Sequence, residues 1–172
     1  MDPMELLQQW HTGVRILHHA HTRAAVSFER YGRLLGVPVV IVSTAVGTSI
    51  FAGTHNNPKL TIVAGLLSFT AAVLSSLQTA LKYPELATQH KAAALKYGQF
   101  RRQLEIQMVA KLPEEPKLAE LLNNFQTEWN ALDDQCPNIP QSIYRKSVEA
   151  VSSGTARDSH SLNAPALKAI EH

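Results

Sequence analysis

The chain has 172 residues, a formal net charge of +2, 45% apolar residues, one cysteine and a slightly negative mean hydropathy. That length holds one domain, the single Cys136 excludes a disulfide framework, and the small net charge gives no reason to expect a nucleic-acid partner. The averages conceal a concentration, because the apolar residues are gathered into two uninterrupted runs.

From Met4 to Leu35, apolar or aromatic residues recur as Leu7, Trp10, Val14, Leu17, Ala24, Phe28, Tyr31 and Leu35, in steps of three and four, with His21 filling the one gap. This is a heptad seam on an amphipathic helix over residues 1–33, and such a seam needs a partner helix. Residues 34–53, LLGVPVVIVSTAVGTSIFAG, then carry no ionisable side chain. At about 1.5 Å per residue twenty helical residues reach roughly 30 Å, the hydrocarbon thickness of a bilayer. Pro38 marks the point where the first helix bends into the membrane. The segment THNNPK, 54–59, has the Asn and Pro content of a tight external turn. Residues 60–81, LTIVAGLLSFTAAVLSSLQTAL, form a second uncharged run between Lys59 and Lys82. The alternative is a buried hairpin in a soluble bundle, but a helix apolar all round must be surrounded by apolar groups, and little chain is left to surround two. The first run begins too late, after a charged segment, for a cleaved signal peptide.

Arg15, Arg23, Arg30 and Arg33 precede the first run and Lys82, Lys91, Lys96, Arg101 and Arg102 follow the second, while the turn holds only Lys59. The positive-inside rule then places both termini in the cytoplasm, and anionic headgroups account for the flanking charge. Beyond the hairpin, residues 84–151 read as a cytoplasmic helical region. Pro84 suits a first turn, and Leu86, His90, Ala93, Tyr97, Phe100, Leu104 and Met108 form the partner seam. Phe28, Tyr31, Tyr97 and Phe100 are the candidate assembly seam, joining the two long helices within or between protomers. Pro113 and Pro116 stop one helix and start another, with Leu118, Leu121, Phe125, Trp129 and Leu132 on one face; Cys136-Pro137-Asn138-Ile139-Pro140 ends that one. A short amphipathic piece, 143–151, precedes a polar, aperiodic stretch, 152–172, expected to be a disordered tail. The fold class is thus all-α: a two-span membrane hairpin with flanking cytoplasmic helices.

This layout resembles the SLATT family, two-span bacterial effector domains associated with SMODS nucleotidyltransferases and SLOG nucleotide sensors. The resemblance covers about 22–151 and is carried by GVPVVIVSTAVGTS, by LSSLQTALKYPELATQHKAAALKYGQFRRQLE and by a Trp-containing helix running into CPNIP. It implies a membrane-perforating suicide effector of an antiphage conflict system in the bacterial inner membrane. The chain carries no sensor domain, so the switch would be a separately encoded nucleotidyltransferase or other sensor.

Catalytic chemistry is thin. There is no GxSxG, Walker loop, HExxH or dinucleotide-binding glycine turn, so neither an enzyme nor a cofactor is expected. His11, His18 and His21 share a helical face at a spacing able to offer imidazoles to zinc, yet no Cys or carboxylate stands beside them at ligand spacing, and no metal site is assigned. His21 and His90 lie on the two seams, which raises a pair contact or a pH-sensitive packing defect as well as ordinary core histidines. Along the second run Thr61, Gly65, Ser68, Ala72, Ser75 and Thr79 form one stripe of small or hydroxylated residues, pore-lining or helix-packing, and Ser43, Thr44, Gly47 and Thr48 crowd a similar face of the first. One hairpin cannot enclose a conduit, so a pore requires a homo-oligomer in the lipid bilayer. The competing expectation is a passive anchor or scaffold recruiting a cytoplasmic partner.

Overall fold

The structure, a computed structural model, describes residues 2–51, 58–110 and 112–156. In chain order it comprises α1 (Pro3–Phe51), α2 (Pro58–Leu81), α3 (Tyr83–Val109), α4 (Lys117–Gln135) and α5 (Gln141–Ser152), with no strand among the described residues. The all-α expectation holds, and two of its helical stretches are long and apolar enough to cross a membrane.

The helix ends follow local chemistry. Asp2 caps α1, its carboxylate accepting the Met4 N–H at 3.1 Å, with Pro3 at the first helical position, where its missing N–H costs nothing. Pro58 opens α2 in the same way. The second apolar run and α2 end together at Leu81, because Lys82 takes a left-handed conformation at φ 46°. The Lys82 N–H still reaches the Gln78 carbonyl at 3.3 Å, and its own carbonyl accepts from Leu86 at 3.0 Å. One residue therefore closes α2 and opens α3.

Three expectations are corrected. The segments 1–33 and 34–53 are one helix, continuous through Pro38 as far as Phe51; a proline removes one N–H, whereas ending the helix there would strand several more backbone groups. Pro58 and Lys59 belong to α2 rather than to the turn, and the rest of the turn lies outside the described residues. The tail does not begin at Ser152. Helix α5 includes that residue, Ala156 is buried, and its carbonyl accepts a bond from the Arg15 guanidinium at 3.4 Å. Residues 157–172 lie outside the described set.

The chain divides into two units, one of Met1–Ala24 with His90–His172, the other of Ala25–Gln89. In the first, Leu7 and Val14 of α1 meet Tyr97, Phe100 and Leu104 of α3 in a core where each is at most 1% exposed. Leu122, Phe125, Trp129 and Leu132 of α4 pack against it. Gly13 makes room for Trp129: a Cβ there would lie 2.8 Å from the indole Cη2. Burying five such side chains at roughly 1.5–3 kcal/mol each is the main stabilising term of this unit.

The second unit is built differently. Ala71 is the one buried residue of α2, and Leu34, Val40, Ile41, Ile62, Leu66 and Phe69 are each more than half exposed. Neither of its most apolar windows is buried against the rest of the chain. Contiguous apolar surface of this kind marks a face meant for lipid or for another protein.

Candidate membrane face and histidine pair

Helix α1 meets the α2–α3 corner through small residues. Gly32 is buried, and a Cβ on it would lie 3.5 Å from Pro84 Cγ; one on Gly36 would lie 3.4 Å from the Gln78 amide nitrogen. Sequence reasoning missed this contact, although Gly32-x-x-x-Gly36 is the small-xxx-small spacing that lets helices approach closely. Gln78, the only strongly polar side chain of the second run, is half-buried at this junction.

On α2 the half-buried positions Ala64, Leu74 and Gln78 share a face with Ala71. The stripe Thr61, Gly65, Ser68, Ala72, Ser75 and Thr79 is exposed throughout. At about 100° per residue, the stripe is centred roughly 100° around the helix from the buried face. The hairpin of a single copy therefore does not use the stripe as its contact. Ser43, Thr44 and Thr48 of α1 are exposed as well, and a Cβ on Gly47 would meet nothing within 4 Å. Several hydroxyls in these faces donate to carbonyls one turn back: Ser68 to Ala64 at 2.9 Å, Thr79 to Ser75 at 3.0 Å and Thr44 to Val40 at 2.8 Å. Donors satisfied within their own helix can sit in hydrocarbon, while the oxygens keep acceptor capacity for water.

Of the candidate assembly seam, Tyr97 and Phe100 are each 1% exposed inside one chain, with Phe100 edge-on to Phe125 and Trp129. Phe28 stacks on Tyr83 at 6.0 Å, and the half-exposed Tyr31 tilts against the same ring at 5.6 Å. Tyr97 and Phe100 are therefore core residues of a single copy, and their burial leaves them no face to offer another.

The two seam histidines do meet. His21 and His90 are each 1% exposed, and their Nδ1 atoms lie 2.9 Å apart, so one donates and the other accepts. This geometry admits one proton between the two nitrogens and has no place for two imidazolium rings. Burial draws the His21 pKa down to about 4, with the charges of His90 and His18 adding to it, and burial lowers His90 as well. His21 also stacks on Tyr97 at 5.3 Å. The Tyr97 hydroxyl donates to Asp133, and burial, reinforced by that carboxylate, raises its pKa. Burial raises the Cys136 thiol too, against an activated nucleophile.

The zinc-type spacing does not converge. His11 turns to Glu105 at 3.1 Å, where the buried Arg101 also binds at 3.2 Å, while His21 turns to His90; no three metal-ligating groups come together among the described residues. Arg101, counted above among the flanking basic residues, is thus held by a carboxylate in the first unit. No protein-family model, curated protein or solved structure matches the chain.

Proposed function

We propose that this chain is a two-span integral protein of the bacterial inner membrane, with both termini cytoplasmic, that assembles as a homo-oligomer and permeabilises the bilayer when a separately encoded nucleotide-sensing or nucleotide-producing partner triggers it. The resemblance to the SLATT family supports the setting in an antiphage conflict system. The observation that carries the oligomeric part is the stripe Thr61, Gly65, Ser68, Ala72, Ser75 and Thr79, exposed at every position and set off the buried face of α2, which supports its use by a neighbouring copy or a lumen. Exposed apolar residues on both long helices give the remaining surface to lipid.

The test is a Ser75→Cys chain expressed with and without its trigger, followed by growth, membrane potential and labelling with a small water-soluble thiol reagent. A thiol in a wet lumen ionises and reacts, whereas one in apolar packing stays protonated. Depolarisation with labelling confined to the triggered state is expected. Triggered depolarisation without labelling removes the stripe from the pore, and no depolarisation under any trigger leaves the anchor reading. Reporters fused after Asn57 and at either terminus are expected to report the periplasm and the cytoplasm respectively.

A further inference from the structure

Two grooves in the Ala25–Gln89 unit share Arg33 and Val37. One, of about 640 Å³, runs between α1 and α3 and includes Glu29, Gly32 and Pro84. The other, of about 490 Å³, is lined by Arg30, Arg33, Leu34, Val37 and Pro38. These five positions recur at three- and four-residue steps, so they form one face of α1, on the side away from Gly32 and Gly36.

That face changes character within one turn. Arg30 and Arg33 stand at one end, and neither has an ion-pair or hydrogen-bond partner among the described residues. Leu34 and Val37 follow, 70% and 55% exposed, at the start of a run without ionisable groups. Two guanidiniums beside bare hydrocarbon match a molecule whose anion adjoins its own hydrocarbon. The charge balance narrows the choice further. A zwitterionic headgroup would bring a second cation to two arginines in a groove with no carboxylate in its lining, whereas Glu29 lines only the neighbouring groove. A guanidinium pair also suits phosphate oxygens through fork-shaped donation.

We propose that the Arg30–Pro38 face of α1 is a binding site for an anionic phospholipid, with the phosphate held between Arg30 and Arg33 and an acyl chain lying over Leu34, Val37 and Pro38. The proposal rests on the membrane reading above, and it gives α1 a fixed depth: the guanidiniums sit at headgroup level and the next turn lies in hydrocarbon.

The full chain in mild detergent, titrated with dioleoylphosphatidylglycerol or dioleoylphosphatidylcholine and followed by native mass spectrometry, tests it. The phosphatidylglycerol adduct is expected to survive at lipid concentrations where phosphatidylcholine is lost. Arg30→Gln with Arg33→Gln is expected to weaken that adduct roughly thirtyfold, the scale of two basic residues at an anionic surface. Lys117→Gln with Arg145→Gln, which removes the same charge from exposed sites elsewhere, is expected to leave it unchanged. Equal retention of the two lipids, an adduct indifferent to the arginine variant, or equal loss in the control variant overturns the site. Displacement of the lipid by millimolar inorganic phosphate also overturns it, in favour of a free-phosphate site. Alkaline carbonate extraction of cell membranes keeps the two levels apart. Release of the wild-type chain overturns the membrane reading and this site together, whereas retention of wild type and variant with an unchanged adduct overturns the site alone.

Discussion

The two units use the same helical spacing to opposite ends. In the unit of Met1–Ala24 with His90–His172, positions three and four apart carry Leu, Val, Tyr and Phe, and each closes against a facing helix until almost nothing is exposed. In Ala25–Gln89 the contacts are made at small residues, Gly32 against Pro84 and Gly36 against Gln78, with Ala71 the buried residue of α2, and the large apolar side chains are left on the outside. A core of large residues holds in water because burial removes apolar area from it. A contact of glycine and alanine removes little area, and it suits a setting where lipid covers what the helices leave open.

The largest test of this contrast is Phe100→Ala, expected to cost about 3–5 kcal/mol in the first unit, read by chemical denaturation through Trp129, whose ring lies 6.2 Å from Phe100. Loss below about 1 kcal/mol would mean that this core is not what holds the unit. The pH dependence comes next. His21, and His90 in the same direction, bind a proton less readily folded than unfolded. The stability they confer is therefore complete above about pH 6.5 and is lost as pH falls from there toward about 4, by roughly 3 kcal/mol for His21. Replacing both histidines with leucine should flatten the denaturation midpoint over that window, and an unchanged slope would rule the pair out as its source.

Gly13→Ala is a smaller perturbation with opposed terms. Alanine favours the helix by about 1 kcal/mol, but its methyl carbon would lie 2.8 Å from the Trp129 ring, at an overpacking cost of about 1–3 kcal/mol. A net loss near 1 kcal/mol in the denaturation midpoint is expected, and a gain would show that Trp129 moves aside freely. The smallest effect is that expected of Ser75→Leu in the hairpin, where two residues on different faces of α2 sharpen the comparison. Ser75→Leu, on an exposed position, should change hairpin stability by less than about 0.5 kcal/mol in detergent, while Ala71→Leu, on the buried face, should cost about 1–3 kcal/mol. Thermal unfolding of the two variants in one detergent decides it, and equal losses would place the stripe at a helix contact after all.

Much of the candidate site was legible in the residues. The seam spacing put His21 and His90 on facing positions, and their contact at 2.9 Å follows from it. The Gly32–Gly36 contact was equally readable from its four-residue spacing but was hidden among the bulkier repeats of the same helix. The reach of α1 through Pro38 was not readable, because a proline signals a lost N–H and leaves open whether the surrounding turns tolerate it. Nor was the fold of 152–156, whose polar, aperiodic residues are held by a distant partner, Arg15 bonding the Ala156 carbonyl.

By itself the amino-acid order determined the helices, the end of the second apolar run at Leu81 and the residues that share each face, because these depend on chemistry within a few turns of one helix. Tertiary structure alone decided what each face meets. Tyr97 and Phe100 close against their own chain, Ala71 and Gln78 rather than the Ser75 stripe lie on the inner face of α2, and Arg101 is held by Glu105. Periodicity assigns a residue to a face, whereas the occupant of that face is chosen by packing volume and charge from chain far away in sequence.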